Sequence, residues 1–201
     1  MKLKFFFSTI IAATLTAATF AATAPTFDDD ITGVKIAAFN RTLQVNLANV
    51  TDATIDISIE TTNGAVVHHE TVTQMSILKK YDLRQLEGGD YTLIIENGRT
   101  KTIQPFILEF GSIKILETER VTKRLPQILQ VKTNMDVRVY MTKKSTVSIN
   151  IVDNQGINVF EEKTEAVSLA KRYNLSKLPS GVYFVQVQAD GETQYATIVL
   201  D

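Results

Sequence analysis

From Thr54 to Ile95 the chain repeats itself without a gap as Thr146 to Val187, a constant shift of 92 residues with 13 of 42 aligned positions identical. TIDISIETTNG (54–64) returns as TVSINIVDNQG (146–156), and YDLRQLEGGDY (81–91) returns as YNLSKLPSGVY (173–183). A fixed period of this size marks two copies of one small domain and excludes a single large fold. The repeat constrains architecture strongly and chemistry hardly at all.

Within each copy the apolar residues alternate with polar ones. Leu43, Val45 and Leu47 do so, as do Ile55, Ile57 and Ile59; in the second copy Val137, Val139 and Met141 are followed by Val147, Ile149 and Ile151. A period of two places one face on a core and the other in water. Abundant Thr, Val and Ile suit pleated, half-buried surfaces, and no sustained helical stripe interrupts them. The fold class is therefore all-β, with two tandem immunoglobulin/fibronectin III-like β-sandwiches of about seven strands each. Strands are expected near 31–38, 42–48, 53–60, 65–72, 76–83, 90–96 and 100–109 in the first copy. In the second they fall near 112–120, 127–132, 136–141, 145–152, 157–163, 167–175, 182–189 and 192–200. Asn63-Gly64 and Gln155-Gly156 mark matching turns, and Asn97-Gly98 and Asp190-Gly191 close a second hairpin in each half. Pro105 should mark an edge or a bulge in the last strand of the first copy.

The sharpest local signature is Leu86-Glu-Gly-Gly89-Asp-Tyr91 and its twin Leu178-Pro-Ser-Gly181-Val-Tyr183. Leu fills the core, Gly permits a tight corner, and Tyr packs its ring inward while its hydroxyl returns to nearby backbone. This is the tyrosine corner of Greek-key sandwiches, and its role is structural.

The first residues read as an address. Lys2 and Lys4 precede an apolar run from Phe5 to Leu15, followed by small residues to Ala24, as a secretory signal requires. The run is shorter than the roughly 20 apolar residues of a membrane span, so no transmembrane segment is expected in the mature chain. Cleavage is placed after Ala21 or after Ala24. The expected division is a signal peptide over 1–24, one sandwich over 25–110 and another over 111–201, the second beginning in a connector that holds no flexible spacer. There is no cysteine, which excludes a lipid-anchored N-terminus and disulfide staples. The net charge is −1, or −3 without Lys2 and Lys4, and no basic face suggests nucleic acid. The mixed charges of Glu117, Glu119, Arg120, Lys123 and Arg124 read as a solvated strand or connector.

No constellation for catalysis emerges. His68 and His69 are adjacent on a strand, so their side chains diverge, and Phe160 and Glu161 replace them in the second copy. The usual zinc spacings are absent. Asp28, Asp29 and Asp30 offer carboxylates to calcium but lack the spaced loop it prefers, and read as a polar leader. No nucleophile elbow, phosphate-cradling loop or dinucleotide fingerprint occurs. The sequons at Asn40, Asn49 and Asn174 read as chance matches, because an exported chain without cysteine favours a bacterial source. No catalytic, cofactor-binding or metal-binding residue is assigned.

The second copy, through INIVDNQGINVF (149–160), YNLSKLPSGVYFVQV (173–187) and ATIVL (196–200), resembles the C-terminal sorting domains of type IX secretion cargo. The first copy, through LQVNL, TTNGAVV and GGDYTLII, resembles a sister family of exported sandwich domains of unknown function. Sorting domains usually carry Pro-Asn-Pro before their second strand, where this chain has Lys132-Thr-Asn-Met-Asp136. The resemblance implies that the second copy directs passage through the outer membrane, while the leader by itself implies export to the periplasm, cell surface or medium. The reading that follows is a non-enzymatic exported module that binds a protein or a cell-envelope component through strand edges or loops. The alternative is a secretion-targeting role for the residues after about 111.

Overall fold

The computed structural model describes residues 17–19, 34–47, 54–73 and 77–201. The expected signal peptide falls largely, and the Asp28–Asp30 cluster wholly, outside these residues. The chain divides into two compact units, one of residues 22–125 and one of residues 126–201 together with 1–21.

In the first unit, β2 (Val34–Phe39), β3 (Thr42–Leu47) and β6 (Ile77–Asp82) form one antiparallel sheet in the order β2-β3-β6. The facing sheet runs β5 (Val66–Val72), β4 (Ile55–Thr61), β7 (Gly89–Asn97) and β8 (Thr100–Glu109). Alternation decides what each strand buries. Leu43, Val45 and Leu47 from one layer meet Ile55, Ile57, Ile59, Leu93, Phe106 and Leu108 from the other in a single core. That interdigitation of two inner faces makes the unit a sandwich.

Residues 112–124 add to the same sheet. β9 (Ser112–Ile115) pairs with Phe106–Glu109 and β10 (Val121–Arg124) with Thr100–Ile103, both on the outer side of β8. Pro105 lies where this edge is interrupted, between the two pairings, while its other side faces Thr92 of β7. A residue without an N–H is tolerated where the neighbouring strand breaks off. The side chain of Gln104, 1% exposed, fills the interruption. Its amide donates to the Pro105 and Leu116 carbonyls at 2.9 Å, and its oxygen accepts from Arg120 Nε at 2.6 Å. The charged connector thus carries a short 3-10 turn, Glu117–Glu119, between two strands docked on β8.

The second unit has the same strand order: β11 (Gln127–Val131), β12 (Asn134–Asp153), β13 (Asn158–Asn174), β14 (Gly181–Ala189) and β15 (Glu192–Leu200). The sequence suggests four short strands between 136 and 175; the structure has two long ones. β12 pairs with β11 and the end of β13 through its first part, then with the start of β13 and with β14 through its second. A register shift between Tyr140 and Ser145 marks the passage from one layer to the other. The exposed polar run Thr142–Lys144, which falls between two of the expected strands, is where β12 bends and strand hydrogen bonding resumes in a new register. Met135, Val137, Val139, Val147, Ile149, Ile151, Val185, Val187 and Ile198 fill the core. A short strand β1 (Ala17–Thr19), within the segment read as a leader, pairs antiparallel with Lys171–Tyr173 of β13.

The turns follow their sequences. Gly64 and Gly156, at φ 81° and 79°, each lie inside a turn closed by matching bonds, Thr61 N to Ala65 O and Asp153 N to Ile157 O, both 2.9 Å. Asp190 and Gly191 have φ 50° and 78°, the pair of positive values that a two-residue hairpin of matching twist demands.

Candidate functional site

A polar cluster recurs at the same shift of 92 residues, and apolar periodicity does not reveal it. In the first unit the Glu70 carboxylate on β5 accepts from Lys79 Nζ at 2.5 Å and from the Tyr81 hydroxyl at 2.7 Å, both on β6. In the second, Glu162 accepts from Lys171 Nζ at 2.6 Å and from the Tyr173 hydroxyl at 3.1 Å. Both tyrosine rings belong to the core, Tyr81 at 7% exposure and Tyr173 at 0%. An aromatic residue leans on each: His68 on Tyr81 with centroids 5.0 Å apart, Phe160 on Tyr173 at 5.4 Å.

The electrostatics follow from burial. Desolvation first, then the neighbouring Glu70, raises the Tyr81 hydroxyl far above its ordinary range; desolvation and Glu162 do the same to Tyr173. A phenol held this firmly protonated donates a hydrogen bond and does not act as a base. Burial pushes the Glu70 carboxyl up, but the bonds from Lys79 and Tyr81 outweigh it, so the carboxylate is held below its usual range. The cluster is a fixed donor–acceptor lock between β5 and β6, or between the two parts of β13. Its signal in the sequence is the identity of three polar residues at a common spacing.

The histidines separate as expected. His68 Nε2 lies 3.8 Å from Glu70 Oε1, whereas His69 Nε2 lies 3.6 Å from Asp56 Oδ1. Among the described residues no three His, Asp or Glu side chains gather in a way that could hold a metal ion. Among the same residues no helix is long and apolar enough to cross a membrane.

The corner tyrosines reach back to backbone. The Tyr91 hydroxyl donates to Glu87 O at 3.0 Å and the Tyr183 hydroxyl to Pro179 O at 2.8 Å. The two corner glycines differ: Gly89 has φ 157°, whereas Gly181 is not among the positive-φ residues. A Cβ at Gly181 would touch only the Tyr183 ring at 3.8 Å, an ordinary contact. A second feature invisible to periodicity is Gln130 on β11. Its amide donates to Val199 O at 2.6 Å and its oxygen accepts from Val199 N at 3.2 Å, so the side chain clamps the edge of β15.

The model of the secretion system C-terminal sorting domain matches residues 39–109 and 128–201, once in each unit. The chain belongs to this sorting-domain family. The two matched stretches take in the tyrosine corner and the polar lock of each unit. The turn at Lys132, φ 56°, lies within the second match and corresponds by the shift of 92 to Asn40, φ 53°, within the first. Among solved structures the chain is similar to a biofilm associated protein, BSP domain, at 15% identity and a TM-score of 0.28. That similarity covers 83% of this chain, which spans 29% of the other. No curated protein matches the chain.

Proposed function

We propose that this sorting-domain protein is a non-enzymatic exported module, two tandem copies of one sandwich, whose second unit is a recognition handle for the export machinery. The observation that carries the reading is the family match over residues 128–201. The first unit, matched over 39–109, serves as a sister module with its own binding surface. Leader removal after Ala21 or Ala24 takes away β1 and exposes the edge of β13 at Lys171–Tyr173. The shared polar residues support the absence of catalysis, because each is spent on a fixed hydrogen bond between strands or between the two parts of β13.

The test is export with and without the second unit. A chain ending at Leu125 should remain behind the outer membrane while the full chain reaches the surface or medium, and residues 126–201 fused to a folded reporter should carry it across. Unchanged export of the truncated chain sinks the reading. A role in binding at the envelope, independent of export, is favoured by exposed Val182, Phe184, Tyr195 and Val199 on β14 and β15. Recovery of one envelope protein with the wild-type chain, lost on Phe184→Ser, would mark that role.

A further inference from the structure

The two units cover the outer edge of their last long strand differently. In the first unit β9 and β10 pair along β8 from Thr100 to Ile103 and from Phe106 to Glu109. In the second, β15 is the edge of its sheet among the described residues, and Gln130 covers it only at Val199. Because Val199 turns its N–H and C=O away from β14, alternation along a regular strand makes Thr197, Tyr195 and Thr193 do the same. The β14–β15 ladder runs from Gly181↔Leu200 to Ala189↔Glu192 without a register shift, so the alternation holds.

Exposed edges are normally guarded by charge, proline or a bulge. The outer strands β5 and β6 of the first unit carry His68, His69, Glu70, Lys79 and Lys80, and the first half of β13 carries Glu161, Glu162 and Lys163. From Thr193 to Leu200, TQYATIVL, β15 has no charge and no proline. The pattern is also symmetric: Thr193 and Thr197 flank Tyr195, which is 72% exposed.

We propose that β15 is a self-pairing edge, joining two copies of the chain antiparallel about a twofold axis at Tyr195. In that register Tyr195 faces Tyr195 of the second copy, and Thr193 faces Thr197 on both sides. These are hydrogen-bonding pairs, each exchanging two N–H···O bonds, about six in all. Thr–Thr and aromatic pairs are favourable neighbours across strands, and no like charges meet. The Gln130 clamp at Val199 ends the ladder on each side and thereby centres it on Tyr195. The interface is isologous, so it closes at the dimer. It is much smaller than the roughly 1,600 Å² of a standard stable interface, so the dimer is concentration-dependent.

Sedimentation of the full chain over a broad concentration range tests this. The weight-average mass should climb toward that of a dimer, with amide exchange at Thr193, Tyr195 and Thr197 slowing as it does. Tyr195→Lys, at an exposed position, should keep the melting temperature and stay monomeric, because two ammonium groups then meet at the axis. Mixing Tyr195→Lys with Tyr195→Glu chains should restore a heterodimer. A chain that is monomeric throughout, a dimer untouched by Tyr195→Lys, or a Lys/Glu mixture that stays monomeric would each overturn the proposal. Slowed exchange at the β13 edge instead of β15 would overturn it too.

Discussion

Removing the hydroxyl of Tyr173 isolates the value of the repeated polar lock. Tyr173→Phe keeps the ring in a fully buried site and deletes one bond, from the hydroxyl to Glu162 Oε2 at 3.1 Å. A bond to a charged acceptor is worth about 1.5–3 kcal/mol net, against about 1 kcal/mol for a neutral one. Glu162 keeps its bond from Lys171 and is 22% exposed, so it is partly rehydrated and the cost falls to about 1–1.5 kcal/mol. For a unit the size of residues 126–201, about 4–8 °C is lost per kcal/mol, giving a drop of roughly 5–10 °C in its melting transition. Glu162→Ala should cost more, about 2–3 kcal/mol, because the buried hydroxyl and the largely buried Lys171 ammonium both lose their acceptor. In a double-mutant cycle the two changes should couple by about 1 kcal/mol. Denaturant and thermal unfolding of the full chain supply these values. If Tyr173→Phe lies within about 0.5 kcal/mol of wild type, the range of ordinary surface changes, or the coupling is nil, the lock does not stabilise the fold.

Tyr183→Phe should cost on the order of 1 kcal/mol, the worth of its bond to the Pro179 carbonyl; an unchanged denaturation midpoint would refute the corner argument. Gly181→Ala should be neutral or slightly stabilising, because the site holds an ordinary Cβ contact and alanine restricts the unfolded chain. Gly88→Ala should be destabilising, since its Cβ would sit 3.2 Å from the Leu108 carbonyl. Glu70 is depressed in the folded state, so its contribution is present above the unfolded value of about 4.5 and is lost as pH falls through the lower folded value. Lys79→Met should flatten that acid limb of the first unit's stability curve. Gln104→Ala should cost about 1 kcal/mol, because Arg120 Nε loses the Gln104 acceptor while the Leu116 carbonyl keeps its bond from Glu119 N, measured as an earlier unfolding of the first unit.

The sandwich class was legible because alternation of two and turn glycines are local properties. Leu43, Val45, Leu47 and their counterparts point to the core wherever the strands later go. The corner was equally plain, because Leu, Gly and Tyr act within one short segment. The long β12 and β13 were not, since the polar bend at Thr142–Lys144 looks like a loop unless the partner strand is known. The docking of Ser112–Arg124 on β8, the Gln104 plug and the Gln130 clamp are contacts between distant residues, and no period announces them. The Glu–Lys–Tyr lock lies between these cases. Its members repeat at the common shift, but only geometry shows that Glu162 meets Lys171 and Tyr173.

Because β12 and β13 each run through both layers, the hairpin they form is a hinge pin for the whole second unit. Neither sheet can peel away while the other stays intact without tearing that shared ribbon across its bend. Hydrogen-exchange protection should therefore vanish from both layers together, in one opening event. Mechanically, the second unit is therefore a single block that either holds or gives way entirely.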